Sequence, residues 1–461
     1  MRLPLLWIIV AAAVGLGLVL LGGNLLLHPD LPLVTAAGFD DELITPNADG
    51  VDDVTTFRYS LTRNADVSLV LIGADGQEYI FREPQPLFAQ DYQVLFSGVV
   101  DGYVNAGEVT GGVVERRLIP NGDYTWRLVA EDAVTGELQT LSGPINIRDA
   151  DTPLPDIETF TISPSVFTPN QDGRDDRVEI NVYVSKPGAS VRAFLVGENG
   201  QEIPISARKE GNINEDAQRI IFDYEGGVDL NADPPPDGTY RVVVLAQDEE
   251  GQRVRAESEL TILQGGKPFA EIVPQAVGVD VVFVSRPYDE RYYSGNGEVG
   301  ALIAPPDDPD NFAFQAITMP VGDMLVFMLT VENYSDVPLR TTGPPPGTVY
   351  QQDQTPAAMN AMESSGAWRV GIQCETSETS FPYRWSLGNE DVLINETAAD
   401  GEVFKYLPPN SRSVVWGAVR LTEINPLQNP QTCWAGLIHE DVAISERNSR
   451  VGPRDVQLVQ P

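Results

Sequence analysis

Two short acidic stretches hold the densest potential chemistry in this chain. Thr45 to Asp53 reads TPNADGVDD, and Thr168 to Asp176 reads TPNQDGRDD. Asn47, Asp49, Asp52 and Asp53 in the first, and Asn170, Asp172, Asp175 and Asp176 in the second, crowd side-chain oxygens around a glycine. A hard cation such as Ca²⁺ takes about six to eight oxygens, so each stretch is a candidate structural Ca²⁺ site. The spacing is not that of an EF-hand, because Arg58 and Asn181 stand where a bidentate Glu would be needed. Backbone carbonyls and remote ligands would have to complete the shell. The same residues also read as turn chemistry, with Asn and Asp bonding the backbone and Gly supplying a positive φ. Against a plain turn stands the repulsion between neighbouring carboxylates at Asp52 and Asp53. Both readings remain open on sequence. Catalysis does not, since an exposed carboxylate pair gains no useful separation of pKa values.

Other reactive types are scarce. His28 and His439 are the only histidines and Cys374 and Cys433 the only cysteines. In an oxidising compartment that even pair predicts a disulfide. Four tryptophans lie late in the chain: Trp368, Trp385, Trp416 and Trp434. Trp368, Trp416 and Trp434 sit in strand-like runs and are expected to fill a core. Trp385, flanked by Pro382 and Arg384, reads as a loop residue and is the candidate ligand contact, for a glycan or a peptide. No GxSxG, HExxH, P-loop or dinucleotide fingerprint occurs, so the chain reads as a non-enzyme.

The elements that position these residues are repeated. The two acidic stretches are identical at seven of nine positions, and each leads into alternating apolar residues: Phe57, Tyr59 and Leu61, then Ile180, Val182 and Val184. Asp75-Gly76 and Asn199-Gly200 follow as two-residue hairpin turns, in which both central positions need φ > 0. Later, Pro120-Asn-Gly-Asp-Tyr124 matches Pro236-Asp-Gly-Thr-Tyr240. Short strands of period two with frequent turns predict two β-sandwiches, over 40–148 and 160–263, joined by a Pro-stiffened linker at 149–156. The TPN-x-DG-x-DD opening, the hairpin and the late NGxY strand together resemble FlgD-type immunoglobulin-like domains. That resemblance implies extracytoplasmic modules used for assembly or spacing. The copies are internal, which departs from related C-terminal sorting domains.

Beyond Lys267-Pro268 a different pattern begins. Strand-like runs at 277–285, 312–318, 324–333, 368–374, 411–421 and 433–439 predict a third sandwich over 270–461, with long loops at 286–298 and 340–366. The fold class expected is therefore all-β, with tandem Ig-like sandwiches after one N-terminal transmembrane helix over residues 1–29. Leu3 to Gly23 carries no charged or polar side chain. At about 1.5 Å per residue such a run spans a ~30 Å hydrocarbon layer. A cleaved leader usually has an apolar core of about 7–15 residues, so an uncleaved anchor is favoured. Arg2 precedes the run, whereas Asp30, Asp40, Asp41 and Glu42 follow it. The positive flank stays inside, which predicts a single-pass cell-membrane protein with a cytoplasmic N-terminus and an extracytoplasmic bulk.

The formal charge of −37, from 67 acidic against 30 basic residues, excludes a general nucleic-acid binder. What remains is a membrane-anchored structural or assembly protein, its repeats a stalk and its last domain a docking surface for a protein partner. A glycan- or peptide-binding surface module, or an accessory subunit of a membrane complex, is the alternative.

Overall fold

The computed structural model describes residues 13–17, 31–208, 218–275, 278–295, 300–306, 316–359, 364–398, 401–444 and 446–460. The expected membrane segment lies outside the described residues apart from 13–17. No helix among the described residues is long and apolar enough to cross a membrane.

The described chain is all-β apart from short helical turns. In the first repeat a three-stranded sheet, built on Thr55–Leu61, faces a five-stranded sheet built on Ala65–Gly73, Gly122–Asp132 and Leu138–Ile147. Residues on the inner faces alternate as the period-two pattern requires: Phe57, Tyr59 and Leu61 pack against Val67, Leu69, Leu71, Trp126 and Leu128. The second repeat repeats the plan, with Val178, Ile180, Val182 and Val184 facing Val242, Val244 and Leu260. Each sandwich begins earlier than the repeated motif suggests. Val34–Phe39 pairs with Thr55–Leu61, and Ile157–Ser163 pairs with Val178–Val184. These opening strands diverge between the copies, so the motif alone does not reveal them.

The late motif has a clear physical role. The Tyr124 hydroxyl donates to the Pro120 carbonyl at 2.7 Å, and Tyr240 to Pro236 at 2.8 Å, a tyrosine corner that fixes the entry into the next strand. The hairpins differ from expectation in one respect. Gly76 and Gly200 have positive φ, but Asp75 and Asn199 do not. Gly73 N–H bonds to Gln77 O while Gly76 N–H bonds to Gly73 O, both at 2.9 Å, so the loop is longer than two residues and only glycine enters the left-handed region.

The repeats share a sheet. Val99–Asp101 and Val113–Leu118, which lie within the first repeat's sequence, form a hairpin that pairs antiparallel with the Arg253–Ile262 strand of the second. Val114 thereby enters the second core. Around this seam Glu115 bonds Arg253 at 2.7 Å, and Lys186 meets Asp151, Asp248 and Glu250 at 3.0, 2.8 and 2.9 Å. The fully buried Gln252 side chain donates to the carbonyls of Asp151 and Pro153 in the linker.

The third domain stacks a seven-stranded sheet centred on Met324–Asn333 and Arg412–Arg420 against a nine-stranded sheet centred on Trp368–Cys374 and Gln431–His439. The region expected as a long loop at 340–366 contains strands at Leu339–Thr341 and Thr348–Gln351, which its Pro-Gly content disguises.

Candidate functional site

The two acidic loops have nearly the same internal wiring. In the first, the Asp53 carboxylate accepts from the N–H groups of Asn47, Ala48 and Gly50 at 3.0, 2.9 and 2.7 Å. Asn47 Oδ1 accepts from Asp49 N–H, and Asp49 Oδ1 from Val51 N–H. In the second, Asp176 accepts from Asn170, Asp172 and Gly173, Asn170 from Asp172, and Asp172 from Arg174. Thr45 and Thr168 close their loops identically, through backbone bonds to Asp52 and Asp175 at 2.8 Å. Asp52 and Asp175 take up left-handed φ values of 53° and 48°, a conformation Asp tolerates better than most residues. The vicinal carboxylates divide their roles: Asp53 and Asp176 turn inward onto N–H donors, while Asp52 and Asp175 are exposed. This is the Asx-turn arrangement. Among the described residues no three His, Cys, Asp or Glu side chains are grouped to hold a metal ion.

The loops part company in their surroundings. The first is exposed at its tip and touches the linker, where Asp151 N–H bonds Pro46 O at 3.0 Å. The second is pressed into the third domain. Tyr406 donates its hydroxyl to Asp172 Oδ2 at 3.0 Å and accepts from Arg174 Nη1 at 3.2 Å. The Arg174 guanidinium lies 3.9 Å from the centroid of the Phe404 ring. His439 Nε2 is 2.7 Å from the Gln171 carbonyl; a carbonyl can only accept, so this nitrogen carries the proton. The His439 ring stacks on Trp368 at 4.4 Å. Gly366 and Gly173 pass backbone to backbone, and a Cβ on Gly173 would sit 2.0 Å from the Ser365 carbonyl. Arg340 also donates to that carbonyl.

Burial changes the electrostatics accordingly. Asp53 is held below the usual carboxylate range by its backbone donors, which outweigh desolvation. Asp176 is pushed up to about 6 by burial and by the neighbouring Asp172 charge. Burial also raises Asp172, against the pull of Tyr406 and Arg174. Burial lowers His439 to about 4, so it is neutral in the joint. The strand that ends at His439 is anchored by Glu440, which lies 3.2 Å from the fully buried Arg369 and 2.6 Å from Arg384. An open cavity of about 690 Å³ adjoins the joint, with Arg340, Thr342, Asn389, Glu402, Phe404 and Lys405 among its walls.

Cys374 and Cys433 are bonded, directly opposite each other on neighbouring strands of the nine-stranded sheet. Trp385 corrects the sequence expectation. It is 0% exposed, packed edge-on to Phe327 and Tyr350, with its N–H bonded to the Thr348 carbonyl at 3.0 Å. Pro382 precedes and Arg384 lies within a short strand, Tyr383–Ser386, and the alternation of that strand turns the indole inward. Trp416 and Trp434, expected in the core, are only half-buried, and Arg450 lies over the Trp434 ring.

Sequence reasoning did not find Arg340, Phe404, Tyr406 and His439 as the receptor for the second loop. Nor did it find the lent hairpin. A signal for the hairpin existed in the longer spacing from turn glycine to tyrosine corner in the first copy, Gly76 to Pro120 against Gly200 to Pro236.

No protein-family model matches the chain, and no curated relative does. Among solved structures, a tetra-tandem repeat from the extending region of a large adhesion protein is 11% identical, covering 92% of this chain and 74% of that one at a TM-score of 0.18. Fibronectin(III)-like modules of Clostridium thermocellum CbhA are 10% identical, covering 50% of this chain and 95% of theirs at 0.18. A solved chain from a study of the host-cell surface retention of a 1.5-MDa bacterial ice-binding adhesin is 10% identical, covering 93% of this chain and 99% of that one at 0.19. Likenesses at such TM-scores carry no argument about this chain.

Proposed function

We propose that the chain is a membrane-anchored, extracytoplasmic structural protein whose FlgD-like Ig-like repeats form a stiff stalk and whose third domain presents a docking surface for a protein partner. The observation that carries this reading is the welding of both joints. Tandem domains within a chain ordinarily move relative to one another unless a substantial interface holds them. Here a hairpin of the first repeat extends the sheet of the second, and a loop of the second docks onto the third through Gln171, Asp172 and Arg174. A protein built so holds its last domain at a set distance and angle from its first. The apolar run at 3–23 supplies the anchor, and the excess of acid after residue 29 keeps the exported surface soluble.

The test targets the first weld. A Cβ on Gly111 would lie 1.8 Å from the Ile157 carbonyl, so Gly111→Val should force the hairpin off the second repeat. In negative-stain images of detergent-solubilised protein, wild type should give one interdomain angle and the variant a broad spread. A broad spread already in wild type would refute the stalk. Stable co-purification with membrane subunits after gentle solubilisation would instead favour an accessory subunit of a membrane complex.

A further inference from the structure

One pole of the first repeat groups exposed apolar side chains at positions where the same pole of the second carries charge. The pole is defined by bonds that converge on Arg63 and Asn64. Arg63 meets Asp132 at 2.7 Å, Glu137 at 2.8 Å and the Leu31 carbonyl at 3.4 Å. Asn64 receives Ala133 N–H at its carbonyl and Ala89 N–H at its side chain, both at 3.0 Å. The entry of the chain, the 88–90 loop and the 132–137 turn therefore lie side by side. They expose Leu31 at 49%, Phe88 at 74% and Val134 at 91%, and Leu138 at the foot of the next strand at 65%.

The second repeat acts as an internal control. Lys186 stands in the place of Arg63 and binds Asp248, as Arg63 binds Asp132. Both aspartates cap the same turn through their Oδ1 atoms. The second turn carries Glu249 and Glu250 where the first carries Val134, and the strand registers place Arg253 where the first repeat has Leu138. That charged pole abuts the first repeat. Among the described residues no other domain lies against the first pole, and its clustered exposed apolar side chains are of the kind that marks an interaction surface.

We infer that this pole rests on a lipid surface, with Leu31, Phe88, Val134 and Leu138 entering the interfacial layer of the bilayer. The inference rests on the reading of residues 3–23 as a membrane anchor. Only residues 24–30 separate that run from Leu31, and fully extended they reach about 25 Å, so the pole cannot stand far from the membrane. Interfacial binding scales with the apolar area inserted, plus any attraction to anionic lipid. The single base among these groups, Arg63, is outnumbered by its partners Asp132 and Glu137, so contact depends on apolar insertion and gains nothing from an anionic headgroup.

The full chain is tested in phosphatidylcholine vesicles, with an environment-sensitive probe on Val134→Cys, Phe88→Cys or, as control, Leu427→Cys in the third domain. Emission at 134 and 88 should move to the blue and be quenched by spin-labelled lipid, and emission at 427 should do neither. Val134→Glu, alone or with Leu138→Arg, should abolish quenching at 88 while the protein stays in the membrane through alkaline carbonate washing. Retention without quenching at 134 and 88 overturns the lipid contact alone. A blue shift that lipid does not quench also overturns it, and points to cover by residues 1–30 or by a second copy. Loss of the chain in carbonate overturns the anchor and, with it, the contact.

Discussion

The loops at 45–53 and 168–176 are a natural experiment in context. Their sequences agree at seven of nine positions and their Asx turns and left-handed residues correspond, yet one tip meets solvent and the other forms the joint to the next domain. The local fold follows from residue types that bond their own backbone, and so it repeats wherever the sequence does. What the loop does follows from the neighbour placed against it. Three features mark the docked copy: Arg174 in place of Val51, a carboxylate pair with raised pKa values, and a glycine that touches a foreign carbonyl.

One added carbon at the matching glycines should separate the two loops most. Gly50 and Gly173 have φ values of 87° and 82°, so alanine costs either loop about 1–2 kcal/mol in backbone strain. Nothing lies within 4 Å of a Cβ at Gly50, whereas at Gly173 it meets the Ser365 carbonyl at 2.0 Å. Gly173→Ala should therefore cost a further ~1–3 kcal/mol, or undock the third domain, as overpacking does elsewhere. Thermal melting, with limited proteolysis at residues 263–268 as the readout of undocking, should show a larger loss for Gly173→Ala. Equal losses would mean that the joint does not bear on the second loop.

A smaller effect is expected from the hydrogen bond that only one loop makes. Tyr406→Phe removes the donor to a buried Asp172 oxygen and should cost about 1–2 kcal/mol. Asp49, the counterpart of Asp172, has no such partner outside its own loop, and Asp49→Asn should stay within about 0.5 kcal/mol. The pair is checked by chemical denaturation at neutral pH.

This difference also explains which features were legible in the sequence. The sandwich repeats, the disulfide between Cys374 and Cys433 and the turn chemistry of the loops are written in local patterns of period, spacing and residue type. Trp385 was misread because Pro382 and Arg384 resemble loop residues, whereas strand pairing with Trp368–Cys374 decides its direction. The receptor residues Arg340, Phe404, Tyr406 and His439 are far from the loop in sequence and share no motif, so only the packed fold reveals them. The hairpin at 99–118 was hidden for the same reason: its partner strand belongs to another domain.

Acid should distinguish the loops next. Asp176 binds its proton more tightly in the joint, at about 6 against an ordinary 3.8, so it adds stability as pH falls from about 6 towards 3.8. His439 binds its proton less tightly, at about 4 against 6.5, so stability is lost as pH falls through that window. The two trends oppose, with Asp172, also raised by burial, adding to the first, so the wild-type joint should respond to pH less steeply than a joint that has lost His439. His439→Gln should leave a joint that tightens on acidification, and Asp176→Asn one that loosens. In the first loop Asp53 is held low, so its contribution is complete above 3.8 and fades only as pH falls below that. Melting temperature against pH for the three proteins checks this; variants that both follow wild type would show that neither group titrates in the joint.

Removing divalent cations should have the smallest effect of all. A Ca²⁺ ion in either loop would need carboxylate oxygens free to turn toward it, and Asp53 and Asp176 each face backbone N–H groups with both oxygens. Turning them outward would leave those N–H groups without their acceptor, a loss of about 1 kcal/mol for each bond that water does not replace. The exposed loop can rewet such donors more readily than the docked loop, where Asn170 and Asp172 are buried. Melting in EDTA and in excess Ca²⁺ should therefore coincide. If Ca²⁺ raises the melting temperature, Asp53→Asn and Asp176→Asn locate the ion, and an effect lost only with Asp53 would identify the solvent-facing copy as the one that opens to a cation.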